Sequence, residues 1–441
     1  PIIESFFFRV IGESFWAGRL TVIFFAFGSG VLLYVISSLI KNKKFALIVS
    51  AIYFVIPASS IFGKMIGQEQ LVLFFALFTL LFILVYIRSN KLFYIPIILI
   101  GVVLGVLSDW PMVYFILSLS PFLIYKKKVH LLIIILMVAF ITALGFFAYI
   151  SILQSGLHEL FGAFINRSHT WEVTPYYLWP FLWAATIFVR FFIYFNPILS
   201  ILSLFFLLTS LIKLYKHQIS SDLLLYFGFF MFGAIHILLY PSGSFGRIYW
   251  IYYFIPFICF AVASVLISLE KRKLLLSGIF IFSGIFLLGV DKWKTGEIRG
   301  NLWRYDLAQQ ANKYLSPYEP LLINKDSSLD WDVLKYKFQH EIIFGSPDRT
   351  SHLGQYKHYI YSCNTVCNLN EKELSFLLQE YAYRKIQSKQ GEGYVFFLDK
   401  PAKNFKPQSL YNETKDLVVE KHETTSPQNI SFQQVYGMLV K

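Results

Sequence analysis

Charged residues are scarce in this sequence. Asp, Glu, Lys and Arg make up only 15% of its 441 residues, whereas a soluble domain usually carries about 25%. The shortage is concentrated in residues 1–290, where apolar runs recur that are long enough to cross a hydrocarbon core of about 30 Å. This pattern excludes an ordinary soluble protein and predicts a polytopic membrane protein.

Cysteine and several enzyme motifs are also rare or absent. Three cysteines exclude a disulfide-rich scaffold and a cysteine zinc site. Cys259 lies in an apolar run and is predicted to be buried, while Cys363 and Cys367 could form a local disulfide if they are exported. The sequence has no glycine-rich phosphate loop, nucleophile elbow or HExxH motif. No cofactor is expected, no metal ligands are assigned, and a divalent-metal requirement stays open.

The apolar runs predict about ten membrane spans. They cover residues 17–40, 45–62, 69–87, 92–108, 111–125, 129–151, 195–213, 222–240, 248–269 and 274–290. Residues 1–290 are therefore predicted to be a membrane-embedded helical domain.

Basic residues occupy alternate loops between these spans. The five basic loops contain Lys41, Lys43 and Lys44; Arg88 and Lys91; Lys126, Lys127 and Lys128; Lys213 and Lys216; and Lys271, Arg272 and Lys273. Because Lys and Arg favour the cytoplasmic side, these loops are expected in the cytoplasm. The protein is predicted to be a multi-pass integral protein of the plasma membrane. The same loops account for the net charge of +13, so no nucleic-acid partner is expected.

Two regions depart from the apolar pattern. Residues 291–441 are polar enough for a small extracytoplasmic α/β domain, with helical spacing at 302–315 and 371–387. Short strands are predicted there at 320–323, 359–361, 394–398 and 436–440. The segment 152–194 is rich in Trp and Tyr, which is typical of the membrane–water boundary. Arg190 favours an interfacial helix around 178–193 over an additional span.

Acidic residues gather near the predicted outer ends of the spans, and Glu69 and Asp109 are the most informative. Ionisable groups at membrane depth are costly and tend to be functional. Glu69 and Asp109 can each also be explained as a helix cap, since Asp109 comes just before Pro111. The alternative is that both acids line an outer mouth together with Lys64 and Arg247. Such a mouth suits a phosphate-bearing ligand and a hydroxyl acceptor that needs a base.

Arg247 has two interpretations of its own. It precedes a span and is followed by Tyr249, Trp250, Tyr252 and Tyr253. In interfacial anchoring, the aromatic rings lie at headgroup depth and the arginine reaches water. In the functional alternative, the guanidinium makes paired hydrogen bonds to a phosphate. His236, inside a span, is expected to be packed and hydrogen-bonded.

The order of four motifs along residues 1–290 resembles a known family. They are Gly12-Glu13-Ser14-Phe15-Trp16-Ala17-Gly18-Arg19; Lys64 followed by Glu69 and Leu71; Gly101-x-x-x-Gly105 leading to Ser108-Asp109-Trp110-Pro111; and Arg247-x-Tyr249-Trp250-x-Tyr252-Tyr253-x-x-Pro256. Together they resemble the dolichyl-phosphate-mannose protein mannosyltransferase-like family (family 39-like) of GT-C membrane glycosyltransferases. The resemblance implies a GT-C-like helix bundle that carries a small outer domain.

The resemblance also implies a reaction. A sugar would pass from a polyprenyl-phosphate carrier to a lipid, glycan or protein acceptor on the extracytoplasmic face, with inversion at the anomeric carbon. Glu69 and Asp109 would be the catalytic acids of this chain, and Lys64, Arg19 and Arg247 would bind the donor phosphate. The family's principal catalytic Asp is expected upstream of Pro1, in keeping with the absence of an initial Met.

Two other classes stay open at the level of sequence. A lipid or sugar transporter, including a flippase, is also polytopic, although internal symmetry or broken helices at mid-membrane would then be expected. A non-enzymatic membrane scaffold could present the C-terminal domain to a partner. An Asp in a short outer loop upstream of Pro1 would favour the enzyme.

Overall fold

A computed structural model of the chain describes residues 7, 9–12, 15–65, 67–153, 178–268, 273–300, 302–316, 318–324, 334, 338, 340–344, 356–364, 377–387 and 391–401. The chain divides into two compact units. The first is built mainly from Trp16–Lys292 and the second mainly from Trp293–Ile430. The two units are described separately below.

The first unit is a bundle of helices. They are α1 (Phe15–Ile40), α2 (Lys43–Val55), α3 (Pro57–Phe62), α4 (Glu69–Ser89), α5 (Tyr94–Ser108), α6 (Pro111–Tyr125), α7 (Val129–Leu153), α8 (Trp179–Phe195), α9 (Pro197–Tyr215), α10 (Ser221–Leu239), α11 (Pro241–Gly246), the 3-10 segment Ile248–Phe254, α12 (Ile255–Ser268) and α13 (Lys273–Gly300), which continues into the second unit. Each predicted span therefore corresponds to helical structure.

Six helices of the described part are long and apolar enough to cross a membrane. They are Ala17–Ile40, Glu69–Ser89, Val129–Tyr149, Pro197–Tyr215, Ser221–Leu239 and Ile248–Ser268. Helices α5 and α6 have 15 residues each, which at 1.5 Å per residue is shorter than a typical hydrocarbon core. The predicted span 45–62 is interrupted at Ile56, whose extended backbone precedes Pro57.

Small residues allow the helices to approach closely. Gly101 of α5 lies against α4, where an added Cβ would come within 2.5 Å of the hydroxyl of Thr79. One turn later, Gly105 lies against Met112 of α6. The Gly101-x-x-x-Gly105 motif therefore serves helix packing, which is the usual use of small residues spaced by four in membrane helices.

Four of the basic loops lie at one end of the bundle, while Lys271 and Arg272 of the fifth lie outside the described residues. Lys41 interacts electrostatically with Asp222 and Lys213, and the ammonium of Lys128 donates to the amide oxygen of Asn90 at 2.7 Å. We call this the basic end. These contacts agree with the predicted grouping of the basic loops on one side, and the assignment of that side to the cytoplasm stays a prediction.

The opposite end holds the acidic turns, and we call it the Glu69 end. Helices α6 and α10 are antiparallel, because Tyr114 near the start of α6 contacts Tyr240 just after α10, while Ser118 lies against Gly228. The start of α6 therefore lies at the end of the bundle opposite to Asp222, which opens α10.

Helix α8 contacts the Glu69 end along its length. The ring of Trp179 packs on Phe245, and that of Tyr194 packs on Phe62. Its position fits the predicted helix around 178–193, but Arg190 is almost fully buried rather than directed to water. The predicted interfacial orientation of α8 in the membrane stays a prediction.

The second unit contains a mixed five-stranded sheet. It follows helix α14 (Leu302–Asn312) and consists of β1 (Leu321–Ile323), β2 (Ile342–Phe344), β3 (His358–Asn364), β4 (Tyr381–Gln387) and β5 (Gly391–Pro401) in the order β2-β1-β3-β5-β4. β1 is parallel to β2 and β3, whereas β5 is antiparallel to β3 and β4. Alternate residues on both faces are buried in separate apolar clusters. The predicted small α/β fold is therefore confirmed.

One predicted helix of this unit is wrong over its second half. Of residues 371–387, residues 377–380 are helical and 371–376 lie outside the described residues, but Tyr381–Gln387 forms strand β4, paired along β5. Tyr383 and Ile386 are buried on the sheet, so cross-strand packing overrides the local helical pattern. The predicted strand at 436–440 and Cys367 lie outside the described residues. Cys259 is buried as predicted.

Candidate active site

The turn before α4 encloses the carboxylate of Glu69. The side-chain amide of the buried Gln70 donates to the carbonyl oxygen of Phe62, which closes the turn onto α3. Gly67 leaves room for the acid, because an added Cβ would come within 2.5 Å of a Glu69 carboxylate oxygen. The carboxylate also interacts with the backbone N–H groups of Gln68 and Glu69. Glu69 therefore stabilises its helix start, as the capping interpretation predicts, and is half-buried rather than fully exposed.

Asp109 occupies the tight turn between α5 and α6. Its backbone N–H donates to Gly105, which ends α5, and its carboxylate accepts a 2.8 Å hydrogen bond from the N–H of Trp110. The side chain thus binds the backbone of the turn ahead of α6, but the helix itself has Trp110 as its N-cap and no side-chain cap hydrogen bond, so the capping interpretation of Asp109 is not confirmed. It also interacts electrostatically with Glu69 and with the phenol of Tyr114.

Arg247 follows the short helix α11. Its backbone N–H donates to Gly243, and its Nη1 donates to the phenol oxygen of Tyr249 at 2.7 Å. The side chain is exposed, and its charge acts on the carboxylate of Glu69. The aromatic residues that follow behave differently from interfacial anchors, because Trp250, Tyr252 and Tyr253 of the 3-10 segment are buried. These rings form part of the protein core.

Two charges that are far from Glu69 in sequence therefore act on it electrostatically at the Glu69 end. Glu69 interacts with Asp109 and Arg247, although 40 and 178 positions separate them in the chain. The guanidinium can bind an anionic group, while the two carboxylates can accept a proton or a hydroxyl hydrogen bond.

Phenols line the same region. Tyr252 and Tyr253 interact electrostatically with Glu69, and the hydroxyl of Tyr252 lies 3.4 Å from that of Tyr53. Tyr114 and Tyr240 share a 2.8 Å hydrogen bond beside Asp109. Tyr53, Tyr114 and Tyr240 were not predicted from the sequence to lie in this region. Tyr114 and Tyr240 could have been found from their place at the outer ends of predicted spans, whereas Tyr53 gave no such signal.

His236 is packed among aromatic rings next to these phenols. Its ring centroid lies 4.6 Å from that of Trp250 and 5.0 Å from that of Tyr253, and the rings of Tyr114 and Tyr240 are also in contact with it. The predicted packing of this histidine inside a span is therefore confirmed.

The other two predicted phosphate ligands have different surroundings. Lys64 is exposed in the turn before α4, and its ammonium lies 2.7 Å from a carboxylate oxygen of Asp291. Arg19 is half-buried on α1, one turn before Val22, which packs with Leu71 of α4. Arg19 therefore lies near the level of the α4 start, and its contact with a ligand stays a prediction.

Solved structures resemble this chain in fold although its sequence is far from them. The crystal structure of ArnT from Cupriavidus metallidurans in the apo state superposes with a TM-score of 0.61 at 11% identity, covering 92% of this chain and 88% of that one. The same protein bound to undecaprenyl phosphate superposes with a TM-score of 0.57, also at 11% identity, covering 89% and 86%. The chain has a GT-C-like fold. No family model and no curated sequence matches it.

The GT-C-like bundle and the sequence motifs are consistent with each other. Three of the motifs that carried the resemblance contain Glu69, Asp109 and Arg247, and the fold brings these side chains together. The narrower assignment to the mannosyltransferase-like family stays a prediction.

Proposed function

We propose that this chain is a membrane glycosyltransferase. It would move a sugar from a polyprenyl-phosphate-linked donor to an acceptor on the extracytoplasmic face. The observation that carries the proposal is that Asp109 and Arg247 both lie close enough to Glu69 to act on its carboxylate, at one end of a GT-C-like bundle. Fold alone does not determine function, so the proposed activity rests on the chemistry of these groups.

The donor is an anion, and Arg247 is the best-placed cation to bind it. A guanidinium keeps its charge and can make paired hydrogen bonds to phosphate oxygens. Its Nη1 donates to the phenol oxygen of Tyr249, and its charge lies close enough to act on the carboxylate of Glu69. A polyprenyl phosphate as ligand is supported by the similar fold of ArnT, whose structure was determined with undecaprenyl phosphate bound. Lys64 and Arg19 are further phosphate-side candidates.

The transfer requires an acid–base group and a stabilised leaving group. The acceptor oxygen forms a bond to the anomeric carbon as the bond from that carbon to the donor phosphate breaks. The acceptor proton passes to a carboxylate, and the polyprenyl phosphate departs with its negative charge stabilised by cations. By the resemblance, Glu69 and Asp109 are the catalytic acids of this chain, and they would orient the acceptor and assist the removal of its proton.

The arrangement favours a transferase over a transporter or a scaffold. Glu69 and Asp109 lie in turns at one end of the bundle, whereas transporter sites typically lie near the membrane midplane at broken helices. A scaffold would not require acids and a cation to converge. The kind of sugar and the kind of acceptor are left open by these groups, and mannosyl transfer stays the narrower expectation of the resemblance.

Turnover of a labelled donor tests the proposal. Purified full-length protein is incubated with radiolabelled polyprenyl-phosphate sugars and a membrane extract as acceptor. We expect label in a new product together with free polyprenyl phosphate. Transfer should require both Glu69 and Arg247. If the protein, placed in vesicles, moved the intact donor across the bilayer without transferring its sugar, the result would instead indicate a flippase.

A further inference from the structure

Among the residues that the structure describes, Arg190 is the most deeply buried charged side chain that the proposed mechanism leaves without a role. It lies in the apolar helix α8 and is only 1% exposed. A buried charge is costly unless several polar groups surround it. The residue is therefore a strong candidate for a specific task.

The guanidinium of Arg190 binds the end of α11. Its Nη1 donates to the carbonyl oxygen of Ser244, and its Nη2 donates to that of Phe245 at 2.6 Å. The last carbonyl groups of a helix have no partner within the helix. Arg190 supplies donors to two of them, and its planar fork suits two neighbouring acceptors.

Two other residues of α8 bind the same short segment. The indole N–H of Trp183 donates to the hydroxyl of Ser244 at 2.8 Å, and the ring of Trp179 lies 4.8 Å from that of Phe245. Trp179, Trp183 and Arg190 are spaced by four and seven positions, so they share one face of α8. The three side chains on this face all contact Ser244 or Phe245.

Ser244 and Phe245 directly precede Arg247 in the chain. Only Gly246 lies between Phe245 and Arg247, and the backbone N–H of Arg247 donates to the carbonyl oxygen of Gly243, which closes the turn. On its other side, Gly243 is pressed against Trp250, where an added Cβ would come within 2.2 Å of the indole ring. The backbone before Arg247 is thus held from two directions.

We infer that Arg190 is a positioning residue that fixes the α11 turn so that Arg247 is presented to the donor phosphate beside Glu69. The inference rests on the proposed function, because it assigns Arg247 to phosphate binding. Arg190 itself binds only the carbonyl groups of Ser244 and Phe245. The ligand that it affects is the polyprenyl phosphate that Arg247 binds.

A double-mutant cycle tests the inference. Undecaprenyl phosphate is titrated into the full-length protein in micelles, using the parent, Arg190→Gln, Arg247→Ala and the double variant. We expect each single change to weaken binding by about tenfold or more. The double variant should bind like Arg247→Ala alone, because Arg190 has nothing left to position. Arg190→Lys, which can donate to one carbonyl in poorer geometry, should restore part of the affinity.

The outcomes separate this inference from the proposed function. The positioning role is wrong if the double variant loses affinity by the product of the two single losses, which would mean that the residues act independently. It is also wrong if Arg190→Gln binds phosphate normally. In both cases phosphate binding by Arg247 stands. If Arg247→Ala binds normally, the phosphate assignment itself fails, and the positioning role fails with it. Should Arg190→Gln not fold, Trp183→Phe removes the hydrogen bond to Ser244 while keeping an aromatic side chain. The same non-additivity with Arg247→Ala is then required.

Discussion

The ammonium of Lys64 lies 2.7 Å from a carboxylate oxygen of Asp291, which ties the turn before Glu69 to helix α13. Both side chains keep 40% or more of their exposure, and exposed ion pairs contribute at most about 1 kcal/mol. The contact is therefore weak enough to exchange. A phosphate arriving at the Glu69 end would compete with Asp291 for Lys64.

Neutralising Asp291 should strengthen phosphate binding. In Asp291→Asn, Lys64 loses its competing carboxylate, and we expect polyprenyl-phosphate affinity to rise about two- to fivefold. Lys64→Gln should lower it by a similar factor. Binding is measured by titration, with Asp222→Asn at the basic end as the control for lost negative charge. Unchanged affinity in both Lys64→Gln and Asp291→Asn would remove Lys64 from the phosphate site.

Removing the charge of Glu69 should affect turnover much more than stability. Glu69→Gln keeps the volume of the side chain but removes the carboxylate that interacts electrostatically with Asp109 and Arg247. We expect turnover to fall on the order of 10²-fold, with a change in unfolding free energy within about 1 kcal/mol. The matched control is Asp222→Asn, another acid in the first turn of an apolar helix. Equal losses in the two variants, or unfolding of Glu69→Gln, would favour the capping interpretation alone.

Much of the membrane unit could be predicted from the sequence because hydropathy and basic loops are strong signals. The helix bounds and the gathering of Lys41, Lys128 and Lys213 at one end follow from them. The proximity of Glu69 and Asp109 was a reasonable expectation, since both open helices at neighbouring turns. The place of Arg190 was not, because its partners are backbone carbonyls 54 and 55 positions away that have no sequence signature.

The prediction for residues 371–387 failed for a related reason. The segment has the local spacing of a helix, but Tyr381–Gln387 pairs with Gly391–Pro401 in a hairpin. Cross-strand contacts such as that between the rings of Tyr383 and Phe396 decide its structure. Such contacts depend on a partner strand, which a local pattern does not register.

Two glycines in membrane helices should respond differently to alanine. An added methyl at Gly101 would collide with Thr79 and Phe78 of α4, whereas at Gly145 of α7 nothing lies within 4 Å among the described residues. We expect Gly101→Ala to lower the unfolding free energy by about 1–3 kcal/mol through overpacking. Gly145→Ala should be neutral or slightly stabilising, because alanine favours helix. Thermal unfolding in micelles measures both, and equal effects would show that the α4–α5 contact is looser than the structure indicates.

The predicted orientation can be tested with single cysteines. The buried Cys259 can be kept, while Cys363 and Cys367 are replaced. Lys127→Cys, in an exposed loop at the basic end, should react with an impermeant maleimide only after the cells are opened. Met65→Cys, which replaces an exposed side chain in the turn before Glu69, should react in intact cells. The reverse pattern would invert the protein and place the acidic turns in the cytoplasm.

Arg247→Lys distinguishes phosphate binding from interfacial anchoring. The anchoring interpretation expects tolerance, because a lysine also reaches water from a membrane boundary. The structure already weakens that interpretation by burying Trp250, Tyr252 and Tyr253. In the phosphate interpretation, Nη1 donates to Tyr249 while the rest of the guanidinium faces the ligand. An ammonium cannot reproduce both contacts in this geometry, so donor affinity should fall by about tenfold or more, or roughly 1.4 kcal/mol per tenfold. The matched control is Arg88→Lys in the last turn of α4 at the basic end, which should bind donor normally. If Arg247→Lys also binds normally, Arg247 has no bidentate role and the anion site must be sought at Lys64 and Arg19.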